Sequence, residues 1–352
     1  MLETILQKKS WLEELKESGA PIAVYGMGNG AEKIFHALEE QGLFVECVFA
    51  SDEFVRGQQF LGLPVLKFGE VAARYPSANV LLAFATDLPE VLARIREISK
   101  KFRVFCPSFT VMNEQCATRE FLCAHAAEIE RAYALLADDA SRKVFCGVAE
   151  FFLTGKLEIL DEISTPRQQN IRLLGLSGEE VYADLGAYRG DTVLEFIQAA
   201  GSYRQIFAVE PDKRNFAKLE QMVREQGLER VRLQNAAAYS KECLLPFSSP
   251  GGRSSAIGRG GEAVRALPLL SLTDGAIPTY LKMDIEGAEA AALEGMREVL
   301  KEHKPKLMVS AYHRIEDFFA LPLQILEVRP DYQVYLRKSP YYPAWEVNLY
   351  CR

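Results

Sequence analysis

Twice in this chain a short apolar run breaks at closely spaced glycines and resumes as an amphipathic helix. The first case is "PIAVYGMGNGAEKIFHALEEQG" from residue 21 and the second is "EVYADLGAYRGDT" from residue 180. A strand that turns through glycine into a helix must send the chain back over its own sheet, so repeated strand and helix alternation implies a parallel, doubly wound sheet. Two such starts, about 160 residues apart, call for two Rossmann-like sheets. The length of 352 residues fits that division, since single cores stop growing below this size.

The first sheet continues through "LFVECVFASDE", "NVLLAFA" and "FRVFCPSF", with helical "PEVLARIREISKK" between the last two. Ahead of it, "MLETILQKKSWLEELKESGAP" places Leu2, Ile5, Leu12 and Leu15 on a helical period and reads as one packed amphipathic helix. Residues 1–110 are therefore expected to form an amino-terminal helix and a Rossmann-like domain. Residues 111–170 read as a helical connector, with Ile129, Tyr133, Leu136, Ala140, Val144 and Val148 along one face, ending at Gly155 and loosening into "STPRQQN". Residues 171–352 carry the second sheet, whose further strands are "QIFAV", "RVRLQNAAAYS", "TYLKMDIEG" and "PKLMVSAYH". The chain then closes with "YQVYLRKS" and "WEVNLYCR", an expected antiparallel hairpin.

Composition removes several function classes. A net charge of -7 without a run of Lys and Arg argues against a nucleic-acid surface. Nowhere do about 18 apolar residues run together, so no bilayer span is expected. The amino terminus lacks a signal-peptide pattern, and seven scattered cysteines without a C-x-x-C pair read as reduced, mostly buried thiols. Both readings place the protein in the cytoplasm.

In the second sheet an acid precedes the glycine turn, Asp184, Gly186 and Gly190, and another acid, Glu210, follows about 20 residues later. That is the spacing at which a carboxylate reaches the two hydroxyls of a ligand ribose. The turn has two glycines and departs from G-x-G-x-x-G, a form suited to S-adenosylmethionine, which has no pyrophosphate to cradle. Asn235 and Ala236, at the end of the third strand, would sit beside the adenine.

The pieces "LADDASRKVFCGVAEFFLTG", "VYADLGAYRGDT", "AVEPDKRNFAKL", "LKMDIEGAEAAALEG" and "PKLMVSAYH" occur in the order found in FkbM-type methyltransferases, and over roughly residues 130–352 the chain resembles that family. The resemblance implies a class I methyltransferase fold, S-adenosylmethionine as cofactor, and a hydroxyl on a sugar or other metabolite as acceptor. By the same resemblance Asp184, Gly186 and Glu210 would hold the cofactor, and the expected cofactor site as a whole takes in Ala187, Gly190, Thr192, Pro211, Asn235, Ala236 and Asp284 beside them. Asp284 and Glu286 would face the transferred methyl group.

Residue chemistry leads to the same strand end. Alternate residues of an extended segment share a face, so Asp284 and Glu286 are expected to point together beyond the sheet, with His313 arriving from the neighbouring strand. Any of the three is a candidate base for the acceptor hydroxyl. Glu289, three residues after Glu286, reads as helix-start chemistry. Asp284 and Glu286 also form a pair able to hold a divalent cation, but no second imidazole lies near in sequence and no metal is assigned.

Two segments stay open. "SSPGGRSSAIGRGGEAVRA" is either a solvated hairpin or a lid in which Arg253 and Arg259 hold an anionic group. Gly26 and Gly28, with Asp52 about 20 residues on, satisfy the dinucleotide fingerprint in its G-x-G-x-x-A form. This first domain resembles nucleotide-sugar-binding Rossmann domains of some sugar-modifying enzymes, and it reads either as such a candidate second ligand site or as a structural, homodimerising unit. The functional alternatives to methyl transfer are a nicotinamide-dependent sugar-nucleotide oxidoreductase and a non-catalytic scaffold that binds adenosyl ligands or nucleotide sugars.

Overall fold

The computed structural model describes residues 1–109, 116–248, 256–257 and 262–352. The chain divides into two compact units. One comprises Met1–Glu130, Lys143–Ser164 and Lys338–Trp345, the other Arg131–Arg142, Thr165–Arg337 and Glu346–Arg352.

Among the described residues the first unit holds six strands, β1 Ile22–Tyr25, β2 Cys47–Ala50, β3 Gln59–Phe60, β4 Leu63–Lys67, β5 Asn79–Leu82 and β6 Arg103–Phe105, in the order β3-β4-β2-β1-β5-β6. Pairing is parallel throughout except for β3, which runs antiparallel to β4. Helix Asn29–Glu39 buries Ile34 and Leu38 against Val24, Val48 and Leu81 of the sheet. Their spacing of four residues puts both on one helical face, and each buried aliphatic side chain is worth about 1.5–3 kcal/mol.

The single amino-terminal helix expected from periodicity is two helices, Leu2–Leu6 and Trp11–Ser18. The break follows from Ser10, whose side chain accepts from Glu13 N while the Glu13 carboxylate accepts from Ser10 N, a capping box that starts a new helix. The connector is likewise divided, into Arg119–Ala124, Ala126–Leu135 and Asp139–Thr154. "STPRQQN" does not loosen but starts helix Arg167–Ile171 behind Pro166. All seven cysteines are free, yet only Cys47, Cys106 and Cys351 are buried, so the expectation of mostly buried thiols is not met.

Among the described residues the second unit is built on a seven-stranded sheet with a four-stranded sheet inserted in the chain. In chain order the strands are β7 Val181–Leu185, β8 Gln205–Val209, β9 Val231–Gln234, β10 Ala237–Ala238, β11 Cys243–Ser248, β12 Ala256–Ile257, β13 Glu262–Leu267, β14 Tyr280–Met283, β15 Lys306–Ser310, β16 Val334–Lys338 and β17 Val347–Cys351. The large sheet has the order β16-β17-β15-β14-β7-β8-β9, parallel from β9 to β15, with β17 antiparallel to β15. Gln333 and Arg352 exchange both backbone hydrogen bonds, as facing residues of the expected closing hairpin do. Tyr182 and Tyr280, neighbours across β7 and β14, stack at 4.7 Å in the core beside Phe196.

Between β9 and β14 the small sheet has the order β10-β13-β11-β12, and β11 pairs antiparallel with β13. Residues 249–255 and 258–261 of the segment read as a hairpin or a lid lie outside the described residues. Arg253 and Arg259 lie outside the described residues.

Candidate functional site

The large sheet winds one way from β7 through β8 to β9 and the other way from β14 to β15, so its switch point lies between β7 and β14. Ligands of open α/β sheets bind beyond the carboxy ends of the strands at that point. The segments emerging there are 186–190 after β7, 210–212 after β8, 284–289 after β14 and 311–314 after β15.

Gly186 has φ +87°, and a Cβ at this position would lie 1.9 Å from the Asp284 carbonyl oxygen, so glycine is required both by conformation and by the close approach of the β14 exit. Gly190 caps helix Asp191–Ala200 at φ +93°, with the Met222 side chain in the space a Cβ would fill. Asp184, fully buried, accepts from Thr192 Oγ1 at 2.5 Å and lies 3.1 Å from Lys282 Nζ. Lys282 Nζ also donates to the Gly186 carbonyl at 2.6 Å. Burial works against the Lys282 charge, and Asp184, then Asp284, outweighs it, leaving the ammonium above its usual range. Asp184 thus acts on the crevice by shaping the turn, with its own carboxylate turned inward.

Glu210 is buried. One carboxylate oxygen accepts from Tyr188 N at 2.9 Å and the other from Asp212 N at 2.8 Å, which joins the β7 turn to the β8 exit. Burial pushes this carboxyl up to about 7, against the two backbone donors. Asn235 donates to the carbonyls of Glu210 and Pro211 at 2.8 and 3.1 Å, and Ala236 beside it is buried. Ala187 is also buried, and its N–H, like that of Gly186, donates to the Val209 carbonyl.

Asp284, Glu286 and His313 come together. His313 Nε2 lies 3.3 Å from Asp284 Oδ1 and 3.5 Å from Glu286 Oε2, and Nδ1 lies 2.9 Å from Glu289 Oε1. The side chains of His313 and Glu289 are 1% exposed, those of Asp284 and Glu286 33% and 28%, so two carboxylates open outward from a buried imidazole. Strand alternation is not what aligns the outer pair. β14 ends at Met283, and Glu286 adopts φ +54° followed by Gly287 at φ +88°, so a turn brings its carboxylate back to His313. A non-glycine residue held in the left-handed region is costly, and Tyr188 at φ +48° is a second one at this sheet edge.

Burial opposes a charge on His313, but Glu289, then Glu286 and Asp284, lift the imidazole to about 10. Burial pushes Glu286 up to about 8, with His313 pulling it down and Asp284 and Glu289 adding to the rise. For Asp284 burial is outweighed by Lys282 and then His313, so its carboxyl stays below the usual range. In this arrangement the ring is an imidazolium and Asp284 is the ionised group that faces outward. Tyr312 Oη donates to Asp284 Oδ1 at 3.1 Å, and Arg314 Nε to the Gly287 carbonyl at 3.0 Å.

Sequence reading missed Lys282, Tyr312 and the inward half of Glu289. Lys282 could have been noticed as a lysine inside the apolar strand "YLKM". Glu289 does begin helix Glu289–Gly295 and accepts from Ile285 N at 2.9 Å, as a helix-start acid would, but its contact with His313 depends on the packing of β15 beside β14. In the first unit Gly26 and Gly28 form the expected turn, with Gly28 capping helix Asn29–Glu39, while Asp52 is exposed in a short 3-10 turn.

Comparison with solved structures gives a likeness to the methyltransferase FkbM of Methylobacillus flagellatus KT, at 24% identity and a TM-score of 0.76, covering 97% of this chain and 92% of that one. An rRNA methylase from Streptococcus thermophilus matches at 14% identity and a TM-score of 0.37, covering 54% and 96%. A precorrin-6y C5,15-methyltransferase from Geobacter metallireducens GS-15 matches at 15% and 0.34, covering 56% and 87%. No curated protein matches the chain. The likeness to the first structure extends over both units and establishes their fold as mixed α/β. Residues 184–333, which carry the switch point, match the model of the methyltransferase FkbM domain.

Proposed function

We propose that the protein transfers the methyl group of S-adenosylmethionine to a hydroxyl oxygen of a sugar or another polyhydroxylated metabolite. The observation that carries this reading is the convergence of Asp284, Glu286 and His313 beyond β14 and β15, beside a β7 turn tied to Glu210. In the proposal the turn at Gly186 and Gly190 receives the amino-acid end of the cofactor. Glu210 receives the ribose, and Pro211, Asn235 and Ala236 border the adenine. The residues around Asp284 face the sulfonium.

Methyl transfer from a sulfonium is an in-line displacement with a good leaving group, so alignment does much of the work, up to about 7–11 kcal/mol for well-oriented reactants. An alcohol must also lose a proton as the oxygen–carbon bond forms. Ionised Asp284 is placed to accept it, while charged His313 holds Asp284 and Glu286 in position. Such proton transfer contributes about 10² to 10⁴ fold. Calorimetric titration with S-adenosylmethionine, S-adenosylhomocysteine and NAD tests the cofactor. Mass spectrometry of extracts incubated with methyl-labelled cofactor tests the acceptor. Binding of NAD in place of both adenosyl ligands would sink the reading.

A further inference from the structure

We propose that Asp284, Glu286 and His313 form a binding site for a divalent transition-metal cation, with Glu289 as the buried carboxylate behind the ring. The proposal rests on the same site as the methyl-transfer reading and deepens it by adding a cation.

Three observations carry it. First, Asp284, Glu289 and His313 each place a ligating atom within 4.8 Å of the others, which groups two of the proposed ligands with the carboxylate behind the ring. Second, the outer face of the imidazole has donor spacing. Donors bound to one cation at about 2.1 Å stand about 3.0–3.4 Å apart when their bonds meet at roughly 90–109°. His313 Nε2 stands 3.3 Å from Asp284 Oδ1, inside that range, and 3.5 Å from Glu286 Oε2, just beyond it. Third, the buried side of the cluster is unsatisfied. Among the described residues Glu289 Oε2 and His313 Nδ1 lack hydrogen-bond partners, although Nδ1 is in ion-pair range of Glu289 Oε1 at 2.9 Å.

A carboxylate behind the far nitrogen of a ligating histidine is the usual outer-shell arrangement, because it orients the ring and raises its basicity, and the cation takes the place of the Nε2 proton, which is released to solvent. Three carboxylates converge on one imidazole, which concentrates acidic groups at this ring. Lys282 relieves little of this, since it is engaged by Asp184 and the Gly186 carbonyl. Imidazole suits Zn²⁺ and carboxylate oxygens suit Mn²⁺, so these two ions probe the two halves of the mixed set. As a ligand through Oδ1, Asp284 keeps its second oxygen for the acceptor's proton.

The test is calorimetric titration of the full, chelator-treated chain with Mn²⁺ and with Zn²⁺, and the electron paramagnetic resonance of bound Mn²⁺, with S-adenosylhomocysteine affinity measured on the same samples. The expected result is one cation per chain, weakened about 10- to 100-fold in Glu289→Gln and more in Asp284→Asn. Asp284→Asn is nearly isosteric and guards against misfolding of a His313→Ala variant. Absence of binding, or an affinity unchanged in Asp284→Asn, overturns the cation site. Retained S-adenosylhomocysteine binding in that event leaves the methyl-transfer reading standing.

Discussion

Lys282 Nζ lies 3.1 Å from Asp184 Oδ1, and the two residues are paired in register across the central strands β14 and β7. Both side chains are almost wholly removed from solvent, at 3% and 0%. The pair ties the two strands at the switch point and, through the Gly186 carbonyl, fixes the turn that the cofactor would approach.

Removing one partner of a buried ion pair leaves the other uncompensated. Lys282→Met is therefore expected to destabilise the protein by about 3–5 kcal/mol. Urea denaturation measures this, and a loss below about 1 kcal/mol would show that Thr192 alone satisfies Asp184. Changing both partners, Lys282→Met with Asp184→Asn, should recover much of the stability.

Gly186→Ala meets two obstacles, a left-handed backbone and a carbonyl oxygen 1.9 Å from the new methyl group. The β14 exit must then move. S-adenosylhomocysteine affinity should fall at least about tenfold, a difference of about 1.4 kcal/mol. An unchanged affinity by calorimetry would remove this turn from the cofactor site.

Glu210 sets a pH dependence of stability. Its carboxyl is raised from 4.5 to about 7, so between those values the native state holds a proton that the unfolded chain has released. Its contribution is full below about 4.5 and is lost as the pH rises through about 7, by about 1.4 kcal/mol for each unit of separation. Urea midpoints at pH 5 and pH 8 should show a larger loss for the wild type than for Glu210→Gln. Parallel behaviour would count against the raised value.

Asp284→Asn preserves shape while removing the outward ionised oxygen. Once an acceptor is known, turnover should drop at least about tenfold, the lower range of lost proton transfer. The affinity for S-adenosylmethionine should change little. Undiminished turnover would exclude Asp284 as the proton acceptor.

Local pattern determined much of this protein. The short apolar runs, with glycine breaks after β7 and β14, set the strands β7, β8, β14 and β15 and hence the parallel sheet, because alternation of strand and helix allows few other arrangements. The same pattern put Asp184, Glu210, Asp284 and His313 at strand ends on one edge. Capping chemistry was also written locally, though the periodicity of the first 18 residues masked it at Ser10 and Glu13.

Tertiary structure decided what those residues do to one another. Glu286 reaches His313 through a left-handed turn that no alternation rule anticipates, and Glu289 meets the same ring because β15 packs beside β14. Lys282 becomes the partner of Asp184 only through strand register. Charge state follows from these contacts, since burial and neighbouring charges act over a few ångströms of space and are indifferent to distance along the chain.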